Sequence, residues 1–149
     1  MNATTAQNLR EEYGDLRLNN AAKSLLIIED DLSVIDFFQT VLDHLRPGLH
    51  WDYATSAEEA MDLIYDRGIK SPTAPYSLVI ADIFLKGSKT GFDSWLDCIE
   101  QYPDMNFIIT SSLPQERYLS ILSGFDNCPT FLPKPLTMGK CRAALGEYL

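Results

Sequence analysis

The chain has 149 residues, of which 46% are hydrophobic and 22% are charged, and these values fit one compact domain with its own core. Its formal net charge is -9 and its 12 Lys and Arg residues are scattered, which argues against a nucleic-acid-binding surface. The sequence has no apolar run long enough to span a membrane, and its first residues lack the pattern of a secretion signal. We therefore expect a cytoplasmic protein that binds neither nucleic acid nor membrane.

The cysteines and histidines favour no disulfide framework and no zinc site. Cys98, Cys128 and Cys141 are odd in number and widely spaced, which indicates reduced thiols in packed positions. His44 and His50 lack the spacing of metal ligands, so we expect them at the surface or at helix ends.

The chain alternates between predicted strands and predicted helices. Residues 1–22 are polar and are interpreted as an N-terminal extension, followed by a single domain over residues 23–149. Apolar runs predict five strands, over residues 24–28, 49–54, 78–81, 107–110 and 130–132. Apolar residues at helical spacing predict five helices, over residues 32–46, 57–67, 91–102, 114–124 and 137–148.

This alternation predicts an α/β fold with a parallel sheet. Short connections imply right-handed crossovers, which place helices on both faces of the sheet. The natural five-strand solution is a flavodoxin-like three-layer sandwich with strand order 2-1-3-4-5 and five helices. In such sheets, ligands bind outside the carboxyl ends of the strands.

Two strands that are neighbours in this sheet end in acidic side chains. The first strand ends on Glu29, Asp30 and Asp31, and the third ends on Asp82. Asp31 can be explained as a helix N-cap, because a helical pattern begins directly after it. A cap needs only one side chain, and adjacent carboxylates repel one another unless a cation or a basic group is near. Glu29, Asp30 and Asp82 are therefore candidates for a functional site.

The fourth and fifth strands are predicted to bring a hydroxyl and a cation to the same edge, through Ser111 and Lys134. Aspartate can act as a nucleophile towards phosphorus, and Mg²⁺ prefers oxygen ligands. The pattern thus suits phosphoryl transfer to Asp82, with Asp30 and Asp82 as magnesium ligands and Glu29 acting through a water.

Four segments of the chain resemble the receiver domain of two-component response regulators. They are Leu26-Ile-Ile-Glu-Asp-Asp31, Val79-Ile-Ala-Asp82 with Leu85-Lys-Gly, Phe107-Ile-Ile-Thr-Ser111 and Phe131-Leu-Pro-Lys-Pro135. Their motif positions occur in the family's order and near its spacing, over roughly residues 24–149. Each segment alone is a weak signal, and their combination is a strong one.

The resemblance implies that Asp82 accepts a phosphoryl group from a phosphohistidine, carried by a histidine kinase or a histidine phosphotransfer protein. It also implies that Mg²⁺ is bound by Asp30, Asp82 and the backbone carbonyl of Phe84. Phe84 and Leu113 are bulky and apolar where the receiver geometry would admit a hydrolytic water. We therefore expect slow spontaneous loss of the phosphoryl group.

The resemblance further assigns Ser111 as the switch hydroxyl, Lys134 as the family's lysine and Phe131 as the switch aromatic. In such proteins the hydroxyl and the aromatic move together after phosphorylation. This movement remodels the surface of the fourth helix, fifth strand and fifth helix, where a downstream protein or a second copy of the chain would bind. Thr110 is an alternative to Ser111, although its register places it inside the strand.

The sequence departs from the family pattern in its loops. Leu85 and Lys86 replace the usual Met-Pro, the loop that follows is one residue longer, and the loop over residues 126–130 is also longer. These departures affect loop geometry and the partner-facing surface, but they remove no chemical group.

These residues suggest three hypotheses for the function. The leading one is a non-enzymatic stand-alone receiver that docks to partners or relays the phosphoryl group. The second is a receiver-like scaffold whose binding does not depend on phosphorylation. The third is a magnesium-dependent phosphatase, which generally needs a second acid shortly after the nucleophile. Ile83, Phe84 and Leu85 provide no such acid.

Overall fold

A computed structural model of the chain describes residues 23–149, and the predicted polar extension over residues 1–22 lies outside this range. Five strands alternate with five helices in the described part. The strands are β1 (Ser24–Ile28), β2 (His50–Ala54), β3 (Leu78–Asp82), β4 (Asn106–Ser111) and β5 (Thr130–Pro133). The helices are α1 (Leu32–Leu45), α2 (Ala57–Gly68), α3 (Gly91–Cys98), α4 (Gln115–Ile121) and α5 (Met138–Gly146).

All strand pairs are parallel, and the sheet has the order β2-β1-β3-β4-β5. The predicted flavodoxin-like topology is therefore confirmed. The register pairs Ile28 with Ala81, Asp82 with Thr110, and Ser111 with Pro133. Because every strand runs in the same direction, the carboxyl ends of β1, β3, β4 and β5 meet at one edge of the sheet.

Helices cover both faces of the sheet. Helices α1 and α5 pack on one face, through Phe38, Leu42 and Leu145, and α2, α3 and α4 pack on the other. Strands β1 and β3 are buried at every position, as expected for central parallel strands between two helical layers. The second strand is more exposed, as its looser pattern predicts.

The ends of the helices follow local capping chemistry. Asp31 accepts a hydrogen bond from the backbone N–H of Ser33 at 2.9 Å, which confirms its role as the N-cap of α1. Ser56 caps α2 in the same way, by accepting from the N–H of Glu59 at 3.1 Å. Helices α3 and α4 are both shorter than predicted, because the chain passes into turns after Cys98 and after Ile121.

The expectation that all three cysteines are packed is wrong for Cys128. Cys98 and Cys141 are buried in helices, whereas Cys128 is exposed in the loop that precedes β5. The loop is a surface connection, so its thiol does not reach the core. Among residues 23–149, the longest helix has 14 residues, and no helix combines the length and apolarity that a bilayer span requires.

Candidate functional site

Three carboxylates converge at the carboxyl edge of the sheet. Glu29 and Asp30 directly follow β1, Asp82 ends β3, and the pairing of Ile28 with Ala81 brings these strand ends side by side. One carboxylate oxygen from each acid lies within 4.8 Å of the other two. Glu29 and Asp82 are buried, with 2% and 5% of their surface exposed. The structure thus brings together the acids that the sequence predicts.

Lys134 supplies a positive charge to two of these acids. Its Nζ donates to Glu29 Oε2 and to Asp82 Oδ2, each at 3.1 Å. Lys134 directly follows β5, and its backbone N–H donates to the carbonyl of Ser111 at 2.8 Å. This hydrogen bond continues the β4–β5 pairing and fixes the backbone position from which the lysine side chain extends.

The electrostatics of the site follow from burial and from these contacts. Burial, followed by the charge of Asp82, raises the pKa of Glu29 to about 7, although hydrogen bonds from Asp31 and Lys134 act against this rise. Burial would lower the pKa of Lys134, but the hydrogen bond and charge of Asp82, together with Glu29, outweigh it, and that pKa is raised. Glu29 therefore binds a proton more readily than an ordinary glutamate does.

Backbone N–H groups hold the acids in place. Asp82 Oδ1 accepts from the N–H of Phe84 at 3.2 Å, and Asp30 Oδ2 accepts from the N–H of Lys86 at 3.0 Å. Glu29 Oε1 accepts from the N–H of Asp31 at 3.1 Å. The loop after β3 is thereby tied across the acidic cluster, and the side chain of Phe84 is left 56% exposed.

The donor set fits a hard divalent cation. The three convergent carboxylates offer only oxygen ligands, and Mg²⁺ is commonly bound through one or two carboxylates with water or phosphate oxygens. When all three acids are ionised and Lys134 is protonated, the cluster carries a surplus of two negative charges, which a divalent cation would balance. The residues present are therefore compatible with magnesium.

The hydroxyls at the end of β4 lie on opposite faces of the sheet. Ile109 pairs with Phe131, and both belong to the core under α2, α3 and α4. Because side chains alternate along a strand, Ser111 shares that face with Phe131, while Thr110 lies on the other face. Ser111 Oγ accepts from the N–H of Leu113 at 3.0 Å. Ser111 is thus the hydroxyl that matches Phe131 in orientation.

Phe131 is half-buried in a stack of three aromatic rings. Its centroid lies 4.3 Å from that of Tyr118, and the Tyr118 centroid lies 5.7 Å from that of Phe92. The Tyr118 hydroxyl donates to the carbonyl of Pro129 at 2.6 Å. Tyr118, which sequence reasoning did not single out, therefore connects α4 to the strand that carries Phe131.

Gly91 is a second residue whose role the sequence did not reveal. A Cβ at this position would lie 2.3 Å from the backbone oxygen of Asp82 and 2.8 Å from its carbonyl carbon. Thr90 caps α3 in a capping box with Asp93, so the first turn of α3 is held directly against Asp82. The only signal in the sequence is a glycine at the first position of a helix, where the lack of a side chain permits close approach.

Comparisons with known proteins find this architecture among solved structures. No protein-family model and no curated protein sequence matches the chain significantly. Three solved structures each cover 85% of the chain. They include a CheY-like response regulator receiver domain protein from Methanospirillum hungatei JF-1 (20% identity, 92% of that chain, TM-score 0.63) and a response regulator receiver domain protein from Clostridium thermocellum (19%, 93%, 0.68). A third is the signal receiver domain of an HD domain-containing protein from Pseudomonas fluorescens Pf-5 (19%, 94%, 0.69).

The chain has the fold of a response regulator receiver domain. The resemblance seen in the sequence motifs is therefore confirmed at the level of the fold. The receiver fold explains why the acids, Ser111 and Lys134 share one edge, since each follows or ends a strand of the same parallel sheet.

Proposed function

We propose that the chain is a phosphorylation-controlled receiver module of a two-component system, in which Asp82 is the phosphoacceptor. The observation that carries this proposal is the contact of Lys134 Nζ with both Asp82 and Glu29, at a site where Asp30 also converges. A buried cluster of acids around one lysine is costly for a protein that makes no use of it. Phosphoryl transfer makes use of each of these groups.

The donor is a phosphohistidine on a histidine kinase or a histidine phosphotransfer protein. A carboxylate oxygen of Asp82 attacks the phosphorus atom, and the phosphorus–nitrogen bond to the imidazole breaks. The electron pair of that bond goes to the imidazole nitrogen, which takes up a proton. The product is an acyl phosphate on Asp82.

The other residues of the site orient the reactants and balance their charge. Lys134 neutralises charge on the acceptor and, after transfer, on the phosphoryl oxygens. Asp30, Asp82 and the backbone carbonyl of Phe84 would hold Mg²⁺, with Glu29 contributing through a water. When bound, the ion supplies charge neutralisation for the incoming phosphoryl group.

Phosphorylation of Asp82 acts on partners by changing the surface formed by α4, β5 and α5. Phosphorylation replaces the singly charged carboxylate of Asp82 with an acyl phosphate whose charge is roughly −1.5 to −2, and the Ser111 hydroxyl then donates to a phosphoryl oxygen. Phe131 shares the face of Ser111 and responds to its movement, which alters the surface formed by α4, β5 and α5. A downstream protein or a second copy of the chain binds there, or the phosphoryl group is passed onward. The protein acts in the cytoplasm, as a signalling module without substrate turnover.

Intact-mass measurement tests the acceptor directly. The wild type and Asp82→Asn are incubated with magnesium and phosphoramidate, a small phosphodonor. The wild type is expected to gain one phosphoryl group and Asp82→Asn none. Asp31→Asn, which alters an exposed helix cap beside the cluster, serves as the matched control and is expected to react like the wild type. Equal gain in the wild type and Asp82→Asn contradicts the proposal. A lack of phosphoryl gain in both proteins also contradicts it, and this result favours the phosphorylation-independent scaffold.

A further inference from the structure

A cavity of about 510 Å³ lies at the amino-terminal ends of the strands, opposite to the strand ends that carry Asp82. It is bounded by the end of α3, the beginning of β4 and the loop that leads into β5. Binding sites for small molecules usually have volumes of roughly 300–1,000 Å³. The cavity therefore has room for a small ligand, and it shares no residue with the acidic cluster.

Aromatic side chains form much of its lining. Trp95, Tyr102 and Phe107 contribute to the lining although each is at most 5% exposed, and Phe125 is 43% exposed. The rings of Trp95 and Phe125 meet edge to face, with their centroids 5.3 Å apart. The accessible lining is more polar than apolar, so it suits a ligand with a polar group on an aromatic or apolar body, and the faces of aromatic rings also attract cations.

The charged residues of the lining are all acidic. Glu100 and Asp126 are exposed, and the described residues that line the cavity include no Lys, Arg or His. The chain as a whole carries a net charge of -9. The electrostatic potential at the opening therefore favours a positively charged ligand and opposes a negatively charged one.

We propose that this cavity binds a small organic cation, an amine carried on an aromatic or apolar body. The body packs against the ring of Phe125, which contacts Trp95, and the ammonium group lies near Glu100 and Asp126. The site is separate from the phosphoacceptor, and its occupancy does not require phosphorylation of Asp82.

The two tryptophans provide a direct readout on the full-length protein. Trp95 lines the cavity, whereas Trp51 lies on β2 and does not. Their indole N–H signals are recorded by NMR and assigned with a Trp51→Phe variant, while one of three probes is titrated. The probes are phenethylamine, 2-phenylethanol and 3-phenylpropionate, which share a phenyl ring and differ in charge. We expect weak binding, in the millimolar range, with shifts at Trp95 and none at Trp51.

The charge preference is tested with a matched pair of variants. Phenethylamine is expected to bind about three- to tenfold more tightly than 2-phenylethanol, and 3-phenylpropionate most weakly. The double variant Glu100→Gln/Asp126→Asn should lose this preference while it still binds 2-phenylethanol. The control Asp43→Asn/Glu116→Gln removes the same charge from exposed positions on α1 and α4, and it should keep the preference.

Cys128 offers an independent measurement, because it lines the cavity and is exposed while Cys98 and Cys141 are buried. Bound phenethylamine is expected to slow its reaction with a thiol reagent more than the same concentration of 2-phenylethanol does. Equal binding of the three probes, an unchanged Trp95 signal at millimolar phenethylamine, or retention of the preference in Glu100→Gln/Asp126→Asn would overturn the proposal.

Discussion

Lys134 Nζ lies 3.1 Å from Asp82 Oδ2, although 52 residues separate the two in the chain. The same nitrogen lies 3.1 Å from Glu29 Oε2, 105 residues away. One ammonium group thus contacts two buried carboxylates, one on the residue that follows β1 and one on the last residue of β3. The stability of the fold and the charge balance of the site depend on the same contact.

Replacement of Lys134 by alanine should therefore destabilise the protein. Without divalent cations at pH 8, we expect the free energy of unfolding to fall by about 1–3 kcal/mol, because two buried acids lose their counter-charge. The loss should stay below that for a fully buried pair, since the lysine side chain is 23% exposed. Urea denaturation measures the change. Lys140→Ala removes an exposed lysine of α5 as the control, and equal losses in the two variants would contradict the prediction.

The raised pKa of Glu29 predicts how stability depends on pH. The folded state binds this proton more tightly than the unfolded state, because the pKa is about 7 against a reference value of 4.5. The contribution of Glu29 is therefore fully present below pH 4.5 and is lost as pH rises through 7. Relative to Glu29→Gln, the wild type should lose about 2–3 kcal/mol across this window in the absence of divalent cations.

Urea denaturation of the wild type and Glu29→Gln at a series of pH values checks this expectation. Saturating magnesium should reduce the loss, because a bound cation favours the ionised carboxylate. Parallel stability profiles of the two proteins would show that Glu29 is not perturbed in the folded state.

Gly91 should tolerate no side chain. In Gly91→Ala the added Cβ would overlap the backbone oxygen of Asp82 at 2.3 Å, so α3 or the end of β3 must move. We expect a loss of about 1–3 kcal/mol in the free energy of unfolding and less phosphoryl incorporation at Asp82. Gly139→Ala is the matched control, because the position lies in α5 and its Cβ would meet no atom within 4 Å. An unchanged Gly91→Ala variant would argue that α3 is not held against Asp82.

The sequence predicts the acidic cluster because the signals are local. The apolar runs that end on Glu29 and Asp82 are uninterrupted, and in a parallel sheet such runs must end at the same edge. Lys134 stands between two prolines directly after a short strand, so its position at that edge also follows from nearby residues.

The roles of Gly91 and Tyr118 are not visible in the sequence, because they depend on distances between elements. Nothing local indicates that Gly91 touches the backbone of Asp82, or that the Tyr118 hydroxyl reaches Pro129. Helical spacing predicts too late an end for α4 for a similar reason, since the spacing continues beyond Ile121 while the chain forms a turn. The sequence likewise does not predict that Cys128 is exposed, because a lone cysteine carries no signal for the loop in which it lies.

The phosphoryl group on Asp82 should be lost slowly, since the exposed side chain of Phe84 has no group that orients water. The backbone N–H of Phe84 donates to Asp82 Oδ1, so this residue lies close to the acceptor. Phe84→Asn should speed the loss about tenfold, less than the roughly hundredfold that a well-placed general acid or base contributes. Intact mass recorded over time after removal of the donor gives the rate. Leu119→Asn, on the exposed face of α4, is the control. A wild-type protein that loses the phosphoryl group within seconds contradicts the expectation.

The most direct test of the account locates the phosphoryl group within the chain. The wild-type protein is treated with magnesium and phosphoramidate and then reduced with borohydride, which converts an aspartyl phosphate to homoserine. Peptide mass spectrometry then identifies the modified position. The account predicts homoserine at position 82 alone, and none in a sample that received no phosphodonor. Homoserine at position 30 or elsewhere instead, or its absence from phosphoramidate-treated protein, would contradict the assignment of Asp82 as the phosphoacceptor.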